Sequence, residues 1–247
     1  MEYIITCISH NRHENVKSFI QKVGTDKIVF FVKDENDKKL YLENGANEVI
    51  VSGTLMESRN ASLDYCFSMN KICIQLSDDL ENISKNDFTG KRTGEFVLVT
   101  DVLENIITDF INSKYYFAGF PPTANPFFAL KEKDFNKFIV GDFIIVKPNS
   151  LRFDTNLRLK EDYDYTLQHI KEMGGCIRYG SFLNSFKHYS NKGGAVDYRS
   201  SSLEQETIKY LINKWGSCIR LNPKRENEIL LNKNSYEILH TTQIGLF

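Results

Sequence analysis

Three short segments of this 247-residue chain hold residue types that could act together on a substrate. Ser77-Asp78-Asp79 ends an apolar run, Lys71-Ile72-Cys73-Ile74-Gln75-Leu76. Two adjacent carboxylates at the mouth of a buried strand repel unless a cation separates them, and a hard divalent ion with oxygen ligands is the usual solution. A solvated Asp-Asp turn is the plainer reading of the pair alone. Lys160-Glu161-Asp162-Tyr163-Asp164 opens a helical pattern, where capping and the helix dipole both favour acid. Three carboxylates in four positions exceed what a cap requires, and their repulsion is costly unless one is used or paired. Where a hydroxyl must lose its proton during attack, Glu161, Asp162 or Asp164 is a candidate general base. The third segment is Lys187-His188-Tyr189-Ser190-Asn191-Lys192-Gly193-Gly194-Ala195-Val196-Asp197-Tyr198-Arg199. Here His188 can complete a metal site, Gly193 and Gly194 let backbone close over a phosphate, and the cations offset its charge. A surface loop with a glycine turn accounts for the same residues without a ligand, and Arg12 and Arg59 are ordinary surface residues in isolation.

The elements that must position these segments follow from hydrophobic spacing. Residues 3–8 form a short apolar run bounded by Ser9, His10 and Asn11, a buried strand feeding a loop. Val16, Phe19, Ile20 and Val23 then recur at helical spacing, and residues 27–33 make a second strand. A short helix stopped at Gly45 and a strand over 48–51 repeat the unit. A helix over 55–70 leads into the strand that ends at Ser77-Asp78-Asp79. This alternation predicts a mostly parallel sheet, in which ligands sit beyond the carboxyl ends of the strands. The polar stretch 81–95 reads as a loop, 100–113 as a helix, and 115–117 and 143–146 as short strands. A helix ending at Met173, a strand over 176–179 and a helix over 203–215 complete the pattern. Neither a repeat nor a linker interrupts it, so a single α/β domain over 1–247 is expected, with a first half at 1–113 and a second half with a closing segment at 114–247.

Composition narrows the partners. A formal net charge of −1 removes the global attraction that basic nucleic-acid-binding domains use, so a polyanion would have to be met by local patches. Cys7, Cys66, Cys73, Cys176 and Cys218 show no CxxC pair and sit mostly in apolar runs, as buried thiols of a reducing cytoplasm do. No apolar stretch approaches the ~20 residues needed to span a bilayer, and the first residues lack a secretory layout, so no membrane partner is expected.

In order along the chain, an Ile-Ile-Thr-Cys-Ile strand start, a helix bearing Arg59-Asn60, a strand ending in Asp78-Asp79, Glu161-Asp162 opening a helix and a late His188 resemble the GT-A type glycosyltransferases. That resemblance implies a single GT-A-like domain with a Rossmann-like, mostly parallel central sheet and a smaller acceptor-side region. It also implies a nucleoside-diphosphate-sugar donor and Mn²⁺ or Mg²⁺ held by an Asp-x-Asp motif. Ser77 stands where the first aspartate of that motif would be, so Asp79 is the expected ligand. More narrowly, Leu159-Lys160-Glu161-Asp162-Tyr163-Asp164-Tyr165-Thr166-Leu167-Gln168-His169 and His188…Asn191-Lys192-Gly193-Gly194…Tyr198-Arg199 are similar to the TET/JBP-associated glycosyltransferases of kinetoplastids and bacteriophages, across about residues 3–230.

Carried over, the resemblance places Thr6, Arg12, Arg59 and Asp78 at the nucleotide and Asp79 and His188 at the metal. Lys192, Gly193, Gly194 and Arg199 fall at the pyrophosphate, and Asp162 becomes the base of an inverting reaction, with Glu161 and Asp164 as alternatives. UDP-glucose is the favoured donor and duplex DNA carrying hydroxymethylated pyrimidines the expected acceptor, in a bacterial cytoplasm such as that of a phage-infected cell. Lys131, Lys133, Lys137, Lys147, Lys224 and Arg225 are candidate phosphate contacts, and Phe120, Phe127 and Phe128 candidate stacking surfaces. A glycosyltransferase of a surface glycan or small acceptor, and a catalytically silent nucleotide- or DNA-binding module, are the competing readings.

Overall fold

The computed structural model describes residues 1–187 and 200–241. The sheet begins with β1 (Tyr3–Ile8), β2 (Ile28–Val32), β3 (Glu48–Val51) and β4 (Ile72–Ser77), connected through α1 (Val16–Val23), α2 (Glu35–Glu43) and α3 (Leu55–Ser68). Beyond β4 come the short strands β5 (Leu80–Lys85) and β6 (Phe96–Val97), then α4 (Val99–Asn112). The second half supplies β7 (Phe117–Gly119), β8 (Lys133–Phe135), β9 (Phe143–Val146), α5 (Glu161–Glu172), β10 (Ile177–Tyr179) and β11 (Phe182–Phe186). It ends with α6 (Ser201–Trp215), the hairpin β12 (Ile219–Leu221) and β13 (Ile229–Leu231), and α7 (Ser235–Thr241).

The central sheet has eight strands in the order β3-β2-β1-β4-β9-β7-β10-β8. Six point the same way, while β9 and β8 run antiparallel to their neighbours. The mixed α/β class and the mostly parallel, Rossmann-like sheet are as the alternating pattern requires. The sheet passes from the first half of the chain to the second without a break, because β4 pairs with β9.

Side-chain alternation sends successive residues of each strand to opposite faces. On one face, Ile5, Cys7, Ile74, Leu76, Phe143 and Ile145 pack with Phe19 and Val23 of α1 and Val102, Leu103, Ile106 and Phe110 of α4. On the other, Cys73, Ile144 and Val146 pack with Leu63 and Cys66 of α3 and with Tyr165, Leu167 and Ile170 of α5. The result is three layers, helix-sheet-helix. All five cysteines are buried and free, as their apolar settings predict. No helix among the described residues is long and apolar enough to cross a membrane.

One local reading needs correction. Residues 80–85 are a strand rather than part of a loop, and with β6 and β11 they form a separate three-stranded sheet in the order β11-β5-β6. Within it Leu80 and Ile83 are buried, a spacing of three that is not the alternation of a strand, so the period hid it. The basic turn at residues 222–225 joins β12 to β13, a hairpin visible only through its cross-strand pairing.

Candidate active site

In the order β3-β2-β1-β4 the connections leave the first strand in opposite directions, so a crevice opens beyond the carboxyl ends of β1 and β4. Two of the segments singled out by residue type meet at this edge. After β1, Arg12 folds back so that its Nη1 lies 2.5 Å from Asp78 Oδ1 and 2.5 Å from Asp79 Oδ1. The Ser9 hydroxyl donates to Asp78 Oδ2 and pairs with the Tyr41 hydroxyl, which accepts from the Arg12 backbone N–H at 3.1 Å. Burial raises the Asp78 carboxyl to about 6, with Arg12 opposing the rise and Asp79 adding to it.

A second cluster forms where β9 enters. Because β9 is antiparallel to β4, its first residue, Phe143, stands beside Leu76, and Gly141-Asp142 falls on the same rim as Asp78. The Ser77 N–H donates to the Asp142 carbonyl at 2.8 Å, tying the two segments together. Arg59 of α3 is buried here. Its Nη1 donates to Gln75 Oε1 at 2.6 Å and to the Gly141 carbonyl at 2.9 Å, and its Nη2 lies 3.0 Å from Glu161 Oε1. The guanidinium also stands over the Phe153 ring, 5.1 Å from its centroid. Gly141 is required at this contact, since a Cβ would lie 2.7 Å from Arg59 Nη2.

Helix α5 therefore starts against this cluster. Lys160, the residue before it, holds φ at 57°, a left-handed conformation of the kind that clusters at functional sites. The three acids that follow diverge because successive helical residues turn by about 100°. Glu161 faces Arg59. Asp162 is half-buried, accepts from the Gly141 N–H at 3.4 Å, and is pushed well above the usual carboxylate range by burial first and then by Glu161 and Asp142. Asp142 is raised to about 7, again chiefly by burial, with Arg59 opposing and Glu161 and Asp79 adding.

The structure redistributes several assignments. Asp164 is fully buried on another face of α5, accepting from Trp215 Nε1 at 2.7 Å and Gln168 Nε2 at 2.6 Å and lying 2.8 Å from Lys214 Nζ. It anchors α5 to α6 and does not reach the crevice. Thr6 is fully buried mid-strand and donates its hydroxyl to the Ile74 carbonyl at 3.1 Å, so it does not face a nucleotide. Arg59 ties α3, β4, the Gly141 turn and α5 together instead of standing open to a ligand. Phe120 is buried in the core, and the Lys147 ammonium is capped by the carbonyls of Ile111 and Ser113 at 3.1 and 2.8 Å, which removes both from the acceptor side. His188, Lys192, Gly193, Gly194 and Arg199 lie outside the described residues. Asp142 was missed, although Gly-Asp immediately before the apolar run 143–146 is the pattern by which Asp78-Asp79 was noticed after one.

Among the described residues no three His, Cys, Asp or Glu side chains converge as a metal-binding group. Asp78 and Asp79 offer two carboxylates, a set that Mg²⁺ or Mn²⁺ accepts when diphosphate oxygens and water complete its shell. Arg12 holds both, so an ion at Asp79 would require the guanidinium to turn aside.

The sequence matches no protein-family model and no curated protein. Among solved structures it is similar to a cytidylyltransferase from Leptospira borgpetersenii serovar Hardjo-bovis (strain JB197), at 11% identity and a TM-score of 0.40, covering 99% of this chain and 96% of that one. A mannose-1-phosphate geranyltransferase from Thermus thermophilus is similar at 7% identity and a TM-score of 0.33, covering 100% of this chain and 65% of that one. Likenesses at this level bear on neither substrate nor reaction.

Proposed function

We propose that the chain is a glycosyltransferase that moves a sugar from a nucleoside diphosphate, UDP-glucose in the first instance, to the hydroxyl of a hydroxymethylated pyrimidine in DNA. The observation that carries this reading is the meeting of Arg12-Asp78-Asp79 and Arg59-Glu161-Asp162-Asp142 along one rim, at the strand-end crevice where α/β sheets bind ligands. In the reaction, Asp162 accepts the acceptor hydroxyl proton as the oxygen attacks the anomeric carbon, and the bond to the diphosphate breaks with both electrons leaving on phosphate oxygen. Asp162 suits the role because it is the α5 acid that is part-exposed and carries no ion pair among the described residues, and a carboxylate raised toward neutrality is a stronger base. Arg12 sits where charge builds on the leaving diphosphate. A divalent ion at Asp79 would supply further neutralisation there.

The test is release of UDP from UDP-glucose with Mn²⁺ and DNA containing 5-hydroxymethylcytosine or 5-hydroxymethyluracil, read by mass spectrometry of the digested nucleosides. A hexose-mass increase lost in Asp162→Asn and Asp79→Ala is the expected result. UDP release without a modified base replaces DNA by a glycan or small acceptor; no release across a panel of donors points to a silent binding module.

A further inference from the structure

The small sheet carries the chain away from the carboxylates toward a surface of different chemistry. Strand β5 begins next to Asp79 and runs six residues along the rim of the central sheet, about 20 Å at the strand rise. At its outer end Asn86 Nδ2 donates to the carbonyls of Ala129 and Gly180, each at 2.7 Å, which ties the loop after β5 to the loop after β7. Gly180 is required there, because a Cβ would lie 2.0 Å from the Lys131 carbonyl. What this closely built junction presents to solvent is apolar and of mixed charge, since Asp87, Glu95 and Glu132 are exposed along with the cations, Glu95 being paired with Lys85. Phe127, Phe128 and Leu130 are 64%, 63% and 55% exposed, with the two rings edge-to-face at 5.3 Å. Asn125 holds their short helical turn by accepting from the Phe127 N–H at 3.1 Å. Across the junction, Leu130 stands beside Gly90, and Lys91 and Arg92 follow it, both exposed and neither in an ion pair among the described residues.

Exposed aromatic rings on one loop, with cations unpaired among the described residues on the loop it touches, are the two components of a platform for unpaired nucleic acid, in which bases stack and phosphates are neutralised. Paired bases inside a duplex have no free face to offer these rings. The span also matters. About 20 Å separates the platform from the carboxylates, roughly three nucleotides of an extended single strand and roughly six of one stacked at the ~3.4 Å helical rise.

We propose that Phe127, Phe128, Lys91 and Arg92 bind the single-stranded flank of a polynucleotide acceptor, about three to six nucleotides from the base that is modified. This rests on the preceding reading only in taking the acceptor to be a polynucleotide. The surface therefore sets strand state and minimum acceptor length, while the crevice performs the transfer.

The experiment measures binding without donor, by fluorescence anisotropy of a labelled 20-nucleotide single strand and of its duplex. The single strand is expected to bind more tightly than the duplex and an eight-nucleotide strand to bind more weakly. Phe127→Ala/Phe128→Ala should weaken binding about tenfold or more. Lys91→Ala/Arg92→Ala should reduce the salt slope by about 1.4, from ~0.7 per cation. The exposed pair Lys27→Ala/Lys39→Ala, before β2 and on α2, should change nothing. Equal or tighter duplex binding, loss in the Lys27/Lys39 variant in place of the loop variants, or self-association that disappears in Phe127→Ala/Phe128→Ala would each overturn the proposal. Sugar transfer to a 20-nucleotide strand containing 5-hydroxymethylcytosine separates the two readings. Its absence alongside loop-dependent strand binding sinks the transferase reading alone, whereas transfer without strand binding sinks the platform alone.

Discussion

Replacing Arg59 by methionine should destabilise the protein severely, and the magnitude follows from what the guanidinium touches. It is the cation facing Glu161, both side chains are nearly buried, and it serves the Gln75 side chain and the Gly141 carbonyl as well. Removing one partner of a buried ion pair costs about 3–5 kcal/mol, because the remaining charge is left uncompensated. Orphaned hydrogen-bond acceptors add to this, though not additively within one contact network. For a chain of this size each kcal/mol corresponds to about 2–4 °C in Tm, so Arg59→Met should melt roughly 6–20 °C below the wild type. The informative comparison is the double variant. If the cost is the stranded Glu161 charge, Arg59→Met/Glu161→Gln should regain a large part of the loss in calorimetry, whereas Glu161→Gln alone should be only mildly destabilised. A single variant melting within about 2 °C of the wild type, or a double variant no better than the single, would refute the description of Arg59 as the clamp on α5.

Other outcomes follow from the same geometry. Asp162→Asn should lower transfer by about 10²–10⁴-fold while leaving Tm and donor affinity near wild type, and the wild-type acid limb should fall well above the usual carboxylate range. Asp164→Asn should do the reverse, lowering Tm and perturbing Trp215 fluorescence while transfer stays within about threefold, because that carboxylate faces α6. Burial raises Asp142 to about 7, so the folded state holds a proton that the unfolded chain releases near pH 4. Stability from this residue is then present below about pH 4 and lost as pH rises to 7, and Asp142→Asn should melt above wild type at about pH 8 and converge with it near pH 4. Buried His169 has the opposite sign. Its pKa is lowered to about 4, so its stability is complete above about pH 6.5 and lost as pH falls, and His169→Phe should flatten the acid side of a melting-temperature profile.

Most of the fold was legible because its strongest signals are local. Runs such as residues 28–32 and 72–76, separated by helical periods, require strands and helices in alternation, and alternation requires a largely parallel sheet. The carboxylate pairs at residues 78–79 and 161–162 were legible for a similar reason, since acid at the end of an apolar run or the start of a helix is a local anomaly. Which acid does what was not legible. Glu161, Asp162 and Asp164 are indistinguishable in sequence, and they part only because α5 turns one toward Arg59, one toward the crevice and one toward Trp215. Asp142 is further evidence of this limit. Gly141-Asp142 borders an apolar run as Asp78-Asp79 does, but only the antiparallel pairing of β9 with β4, which brings the start of one strand beside the end of the other, puts the two on one rim.

The sequence by itself determined the class of the sheet, the burial of the thiols and the segments where acid is concentrated, all of which follow from spacing within about twenty residues. Tertiary structure decided the rest: that Thr6 serves the interior, that Arg59 is a clamp, and that the exposed aromatics of residues 127–128 stand at the far end of β5 from the carboxylates. Those facts depend on contacts between residues far apart in the chain, such as Arg59 with Glu161, Asn86 with Ala129 and Gly180, and Ser77 with Asp142. Such contacts form only when the whole sheet closes, and no local period encodes them.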